Sequence, residues 1–371
     1  MLIGIPKEIK NHEYRVAVTP AGVRQLVNAG HRVRVQSGAA SRIGYQDADY
    51  AAARAEIVPA ARTVYAAELI VKVKEPQAEE VALLHEGQIV FSYLHLAAEP
   101  ELTRALLDRK VTGIAFETVT DTTGGLPLLV PMSALAGRIA VQAGAQALTM
   151  AGGGRGVLLP GVPGVAHGRV VIIGGGTVGM NAAQVASGMG AEVIVLDRSP
   201  HKLAYFDQVF RGRIKTILST PESVTKWSAC ADLLIGAVLI PGALAPRLLT
   251  RKHISSMAEG SAFVDVSIDQ GGIAETSRPT THTAPTYVEE GVVHYCVTNM
   301  PAACSRTATQ ALAPLVLPYA LALADKGLNA MADDLQLRAG LNLHRGHLTH
   351  PVVAAALGLP AIGAIDKLKP S

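Results

Sequence analysis

A glycine-rich turn and a few polar side chains carry the chemistry this sequence could perform. The turn lies in Val170-Val-Ile-Ile-Gly-Gly-Gly-Thr-Val-Gly-Met180 and is followed by Ala191-Glu-Val-Ile-Val-Leu-Asp197. The pattern reads as a strand, a glycine turn, a helix and a second strand ending on a carboxylate. Gly174 permits the tight turn, Gly176 lets a pyrophosphate approach the backbone, and Gly179 lets the helix pack close to the strand. The N–H groups at the helix N-terminus favour phosphate. Asp197 lies roughly twenty residues on, where an acid can accept hydrogen bonds from a ribose 2′-hydroxyl. With all these parts in order, the turn is read as a dinucleotide site rather than an incidental one.

In open α/β sheets, ligands sit beyond the carboxyl ends of the strands. Polar residues just past apolar runs are therefore the next candidates: Lys74, His95, Asp197, Asp269 and Asn299. Lys74 could hold a substrate carboxylate, and Lys72 shares its face at strand spacing. The competing reading is a pair of lysines guarding an edge strand. Arg15 could be a second carboxylate clamp through forked hydrogen bonds, or a surface arginine paired with Glu13 or Glu8. His95 could transfer a proton near neutral pH, or be a satisfied core histidine. Asp269, ahead of Gly271 and Gly272, could hold an amine or water, or cap a turn. His344, His347 and His350 are spaced three apart, but no cysteine or carboxylate completes a metal set. They are read as helix-surface and capping residues, with no metal site.

The elements that must position these residues follow from short apolar runs alternating with helical patterns. The runs in the first third are Leu2–Ile5, Val33–Gln36, Leu69–Val73, Ile89–Tyr93 and Val111–Phe116. Later ones are Val170–Ile173, Val193–Leu196, Leu233–Val238, Phe263–Ile268 and Val293–Val297. This predicts an α/β protein with two doubly wound, mostly parallel sheets and an active-site cleft between them. Thr19, Pro20 and Gly30 punctuate the first crossover helix. A linker and a helix from Ser133 to Met150 separate the two sets of strands. After Val297 the pattern reads as helical, with no further strong strand.

With 371 residues there is room for two ordinary cores, and the net charge of +3 forms no long basic run. That argues against nucleic-acid binding. Cys230, Cys296 and Cys304 are too few for a disulfide framework and are read as buried thiols in a reducing compartment. The N-terminus becomes charged before a signal-peptide core could form. The uncharged run Thr307–Ala324 contains two prolines and is read as a buried helix rather than a membrane span. A cytoplasmic protein without a membrane partner is expected.

Taken with their neighbours, these residues resemble the bacterial L-alanine dehydrogenase family nearly end to end. The resemblance is carried by Gly4-Ile-Pro-Lys-Glu through Thr19-Pro20, Val71-Lys-Val-Lys-Glu-Pro76, Tyr93-Leu-His-Leu-Ala97 and Pro131-Met-Ser133. It continues through the glycine turn, Asp269-Gln-Gly-Gly272, Ser277-Arg-Pro-Thr-Thr281, Val297-Thr-Asn-Met-Pro301 and Gly346-His-Leu-Thr-His-Pro351. It implies a discontinuous substrate domain (1–129 with 308–371) and an NAD-binding domain (130–307). It also implies a homo-oligomer, commonly a hexamer, acting on L-alanine, pyruvate and ammonium.

Position by position, the resemblance makes Arg15 and Lys74 the substrate ligands and His95 and Asp269 the catalytic pair. The cofactor contacts it implies are Ser133, Thr177, Val178, Asp197, Lys202, Ser219, Val238, Leu239, Arg278 and the Val297, Thr298, Asn299, Met300 turn. Val266, Ser267, Ile268 and Asp269 itself join that set. Asp197 favours NAD over NADP, with Arg198 as a counter-indication. Ala134, Cys304 and Gln310 depart from the family pattern at positions without a catalytic role. Two related activities remain as alternatives: the NAD-binding module of a proton-translocating transhydrogenase, and a dehydrogenase of the lysine and saccharopine type. The first expects neither the strand-end histidine nor the Asp-Gln-Gly-Gly carboxylate, and usually a chain leading toward membrane segments.

Overall fold

The computed structural model describes residues 1–240 and 244–363. The end of the expected 308–371 segment lies outside the described residues. Two compact units emerge: Met1–Met132 with residues 302–363, and Ser133–Ile240 with Leu244–Pro301. The strands in chain order are β1 (Leu2–Ile5), β2 (Arg32–Gln36), β3 (Glu56–Val58), β4 (Leu69–Val71), β5 (Ile89–Ser92) and β6 (Thr112–Ala115). Then come β7 (Arg169–Ile173), β8 (Glu192–Asp197), β9 (Lys215–Leu218), β10 (Leu233–Gly236) and β11 (Ala262–Asp265). The last are β12 (Thr286–Glu289), β13 (Val292–Tyr295), β14 (Leu341–His344) and β15 (His347–Leu348).

Among the described residues, the first unit's sheet runs β15-β14-β6-β5-β4-β1-β2-β3 and the second's runs β12-β13-β11-β10-β7-β8-β9. In both, the first six strands to the right of the antiparallel edge or edges are parallel, and the order turns back beside the first strand of the unit. That reversal is the switch point of a doubly wound sheet, where ligands bind. The apolar runs are unbroken because both sheet faces are covered. In β7 and β8, Val170, Ile172, Val193 and Val195 enter one core, while Val171, Ile173, Ile194 and Leu196 enter the other.

The predicted strands are present, several of them shorter than their apolar runs. Phe263–Ile268 ends as a strand at Asp265 and continues as a 3-10 turn, Val266–Gln270. The linker helix spans Val130–Ala147, ahead of Met150. The first crossover helix is Pro20–Asn28, with Pro20 in its first turn and Gly30 at φ +92° just beyond. The uncharged run lies within the helix Ser305–Lys326, whose Ala308, Leu312, Val316, Ala320 and Leu323 are buried. The longer stretch Met300–Asp333 is apolar enough to cross a membrane, but half of its apolar window is buried in the protein.

Four sequence expectations need correcting. Strands do follow Val297: β14 pairs antiparallel with β6 and β15 with β14. His344 and His347 therefore lie on strands rather than on a helix, and His344 bonds Thr112 Oγ1 at 2.9 Å. His350 does cap a helix, Pro351–Leu357. Lys72 and Lys74 do not guard an edge, because β4 lies between β1 and β5 and both side chains are buried. Of the three thiols, Cys296 is buried, Cys230 is half-buried and Cys304 is exposed.

Candidate active site

In the first unit, Arg15, Lys74 and His95 follow β1, β4 and β5, which are consecutive in the sheet. The order reverses between β1 and β4, so these residues stand at the switch point. Arg15 is buried and held by Glu13, with its Nε donating to Oε1 at 2.8 Å and Nη2 to Oε2 at 2.6 Å. Its Nη1 lies 3.1 Å from Met132 Sδ. The partner anticipated for a surface arginine is thus correct, but the pair is inside the protein. A fork locked on one edge has little rotamer freedom left to lose when it meets a ligand.

Lys74 is also buried, with its ammonium 3.1 Å from Glu75 Oε2. Burial pushes the Glu75 carboxyl upward, but Lys74 and Lys10 outweigh this and hold it well below the usual carboxylate range. Behind Lys74, Glu8 accepts from Val73 N at 2.6 Å and from Lys72 Nζ at 2.8 Å. Burial drives the Glu8 carboxyl up to about 7, against the pull of Lys72. His95 is half-buried, not a core residue, and stacks on Tyr93 with ring centroids 5.8 Å apart. Its backbone is left-handed at φ +49°, and its N–H donates to Glu117 Oε1 at 2.6 Å. A non-glycine residue in that region costs energy and persists only where its surroundings hold it, often at functional sites.

In the second unit, every predicted turn lies past the carboxyl end of a parallel strand. Gly174 has φ +110°, and a Cβ there would collide with the Ala237 carbonyl. A Cβ on Gly179 would collide with the Gly174 carbonyl, whereas one on Gly176 would meet no protein atom within 4 Å. Gly174 and Gly179 are therefore required by the fold. Gly176 faces open space at the N-terminus of the helix Thr177–Gly188, which fits an approaching phosphate. Asp197 accepts from Gly175 N at 2.6 Å and lies 3.7 Å from Lys202 Nζ. Ser219 N donates to the Asp197 carbonyl at 2.9 Å. Ser133 lies on the helix Val130–Ala147, and Gly137, one turn further, lets that helix approach Val178.

Beyond β10, β11 and β13, three further turns converge. Ser267 Oγ donates to the Val238 carbonyl at 2.7 Å, tying the Val266–Asp269 turn to the Val238–Leu239 turn. Asp269 accepts from Asn299 N at 3.1 and 3.3 Å, joining the same turn to Val297–Met300. Arg278 is exposed and stacks on Tyr287, 3.8 Å from its ring centroid. Among the described residues, no group of three His, Cys, Asp or Glu side chains is arranged to hold a metal ion. Ala134 is half-buried, while Cys304 and Gln310 are exposed.

Sequence reading passed over the carboxylates that hold these turns: Glu75, Glu117 and Asp265. Glu117 directly follows the predicted strand Val111–Phe116, so the rule that selected Lys74 and His95 also selects it. Asp265 had no such signal, because it lay inside a run read as strand.

Two family models match the chain: "Alanine dehydrogenase/PNT, N-terminal domain" over residues 4–136 and "Alanine dehydrogenase/PNT, C-terminal domain" over residues 140–351. An alanine dehydrogenase of Halomonas elongata is 58% identical over 98% of this chain and 99% of its own. One from Bacillus subtilis is 52% identical over 100% and 98%. Among solved structures, an L-alanine dehydrogenase superposes with a TM-score of 0.91 at 49% identity, over 96% of this chain and 99% of that one. A transhydrogenase from Sinorhizobium meliloti gives 0.79 at 26% identity, over 95% and 99%.

Proposed function

The chain belongs to the alanine dehydrogenase/PNT family, and from that premise we propose that it is an NAD-dependent L-alanine dehydrogenase. The reaction is reversible: L-alanine, NAD⁺ and water give pyruvate, ammonium, NADH and a proton. The observation that carries the reading is the buried Arg15 and Lys74 beside His95 at one switch point. A dinucleotide-binding module with no small-molecule substrate has no use for that set. The closer likeness to alanine dehydrogenases than to the transhydrogenase points the same way.

The glycine turn, Asp197 and the turns at Val238, Val266 and Val297 would hold NAD, which supplies the hydride acceptor when bound. Arg15 and Lys74 bind the substrate carboxylate and fix the direction of the α-carbon, and such positioning can lower a barrier by several kcal/mol. Asp269 takes a proton from the attacking water or from the amine. His95 hydrogen-bonds the oxygen that develops at the same carbon. Asp197 repels a 2′-phosphate, so NAD is preferred over NADP.

Purified protein should consume NADH with pyruvate plus ammonium, faster than with glyoxylate, 2-oxobutyrate or 2-oxoglutarate, and faster than it consumes NADPH. No turnover with pyruvate would overturn this reading and return a binding module, or a lysine and saccharopine type enzyme, to consideration. The proposed protein is cytoplasmic and works as a homo-oligomer. A mass from light scattering near six times the 38.6 kDa chain supports the hexamer, and a monomer mass argues against it.

A further inference from the structure

Asp265 is a buried carboxylate for which the proposed chemistry has no use. It ends β11 with no exposed surface, and burial raises its carboxyl above the ordinary value while the groups bonded to it, and the nearby Arg247, pull it down. Its Oδ1 accepts from Ser267 N at 3.1 Å. Its Oδ2 accepts from Ile273 N at 2.8 Å and from Ser277 Oγ at 2.6 Å. The first donor opens the Val266–Gln270 turn, and the other two lie beyond the double glycine that closes it. Gly272 belongs to the same arrangement, because its φ is +77° and a Cβ there would press on Asp265 Oδ2 and Ser277. One side chain thus ties both ends of the segment that carries Asp269.

The tie extends further. Ser267, whose N–H is fixed by Asp265, uses its hydroxyl to bond the Val238 carbonyl at 2.7 Å and receives Val238 N at 3.2 Å. Asp269, held in the same turn, receives Asn299 N. Three turns past three strands are therefore referenced to a single carboxylate.

We propose that Asp265 is a positioning residue that sets the Val266–Asp269 turn, aiming Asp269 and aligning the Val238 turn for the cofactor. This rests on the assignment of Asp269 and of these turns made above. An ionised carboxylate suits the task because it offers acceptors only, and all three partners donate to it. In Asp265→Asn the amide nitrogen must replace one oxygen. Whichever oxygen it replaces, it faces a backbone N–H, at Ser267 or at Ile273, and that tie is lost. Ser277 can turn its hydroxyl to accept instead, so the Ser277→Ala change is the milder one.

The test uses the whole protein below the unfolding midpoint of each variant. It measures NADH affinity by fluorescence and kcat with pyruvate and ammonium. Asp265→Asn is expected to weaken NADH binding about tenfold and to lower kcat about tenfold. Ser277→Ala should shift both about threefold in the same direction, and it keeps the question open to measurement if Asp265→Asn does not fold. The pH profile of kcat should change in both variants, because the turn that carries Asp269 is no longer held at both ends. Variants that merely unfold at lower temperature, with NADH affinity, kcat and pH profile unchanged, would overturn the proposal. Asp269→Asn separates the two levels. If it retains turnover, the assignment of Asp269 fails. If it is inactive while the other two variants are normal, only the role of Asp265 fails.

Discussion

At the scale of single residues, a repeated device is a carboxylate gripping a backbone N–H just past a strand. Glu8 grips Val73, Glu117 grips His95, Asp197 grips Gly175 and Asp265 grips Ser267. Charge-assisted bonds of this kind are stronger than neutral ones, and they fix the main chain rather than a side chain. His95 is then free to vary without loss of the frame, whereas Asp269 also receives Asn299 N. His95→Ala should therefore abolish turnover while leaving NADH binding largely intact, and Asp269→Ala should abolish turnover as well. Stopped-flow turnover and equilibrium fluorescence check this together, and near-normal turnover in either variant would refute its assignment. The sequence showed His95 and Gly175 because they follow apolar runs, while Val73 and Ser267 lay within theirs. Among the grippers Asp197 stood out at its strand end, whereas Asp265 lay hidden inside a run read as strand.

At the scale of elements, the glycines of the nucleotide turn separate into two kinds, and mutation should distinguish them. Gly179→Ala forces the helix Thr177–Gly188 away from its strand, and overpacking of this type costs about 1–3 kcal/mol. Gly176→Ala meets no protein atom and should change stability by no more than about 0.5 kcal/mol. It should nonetheless weaken NADH binding at least about tenfold if a phosphate occupies that space. Thermal melts and NADH titrations of both variants read the difference; equal stability losses would contradict it. Most of the parallel strands were legible because both their faces are buried. Those not anticipated lie toward the edges: β3, β9, β12, β14 and β15. Lys215–Leu218 and Thr286–Glu289 carry charges and face solvent in part, so no continuous apolar run marks them. Asp265 cut another strand short by offering its neighbours' N–H groups a partner outside the ladder.

At the scale of the whole molecule, protons and nucleotide should act on different parts of the chain. The first unit buries Glu75 between Lys74 and Lys10, and its carboxyl is depressed below the ordinary 4.5. Such a group contributes stability that is present above the unfolded value and lost as pH falls through the folded one. The second unit should instead respond to NADH, which adds about 2.7 kcal/mol at a hundred times its dissociation constant. Hydrogen exchange resolved by peptide is expected to show the peptides around Glu75 loosening below about pH 4.5, with NADH protecting peptides of the second unit. Uniform acid loosening that Glu75→Gln leaves unchanged would count against this. The pairing of β14 with β6 has a consequence for synthesis. The second unit is contained in one stretch of chain and can fold as soon as it leaves the ribosome. The first cannot complete its sheet until β14 emerges, a wait on the order of ten seconds or more at ~5–20 residues per second. Until then one edge of β6 has no partner, so the interval before translation ends is when a chaperone would be of most use.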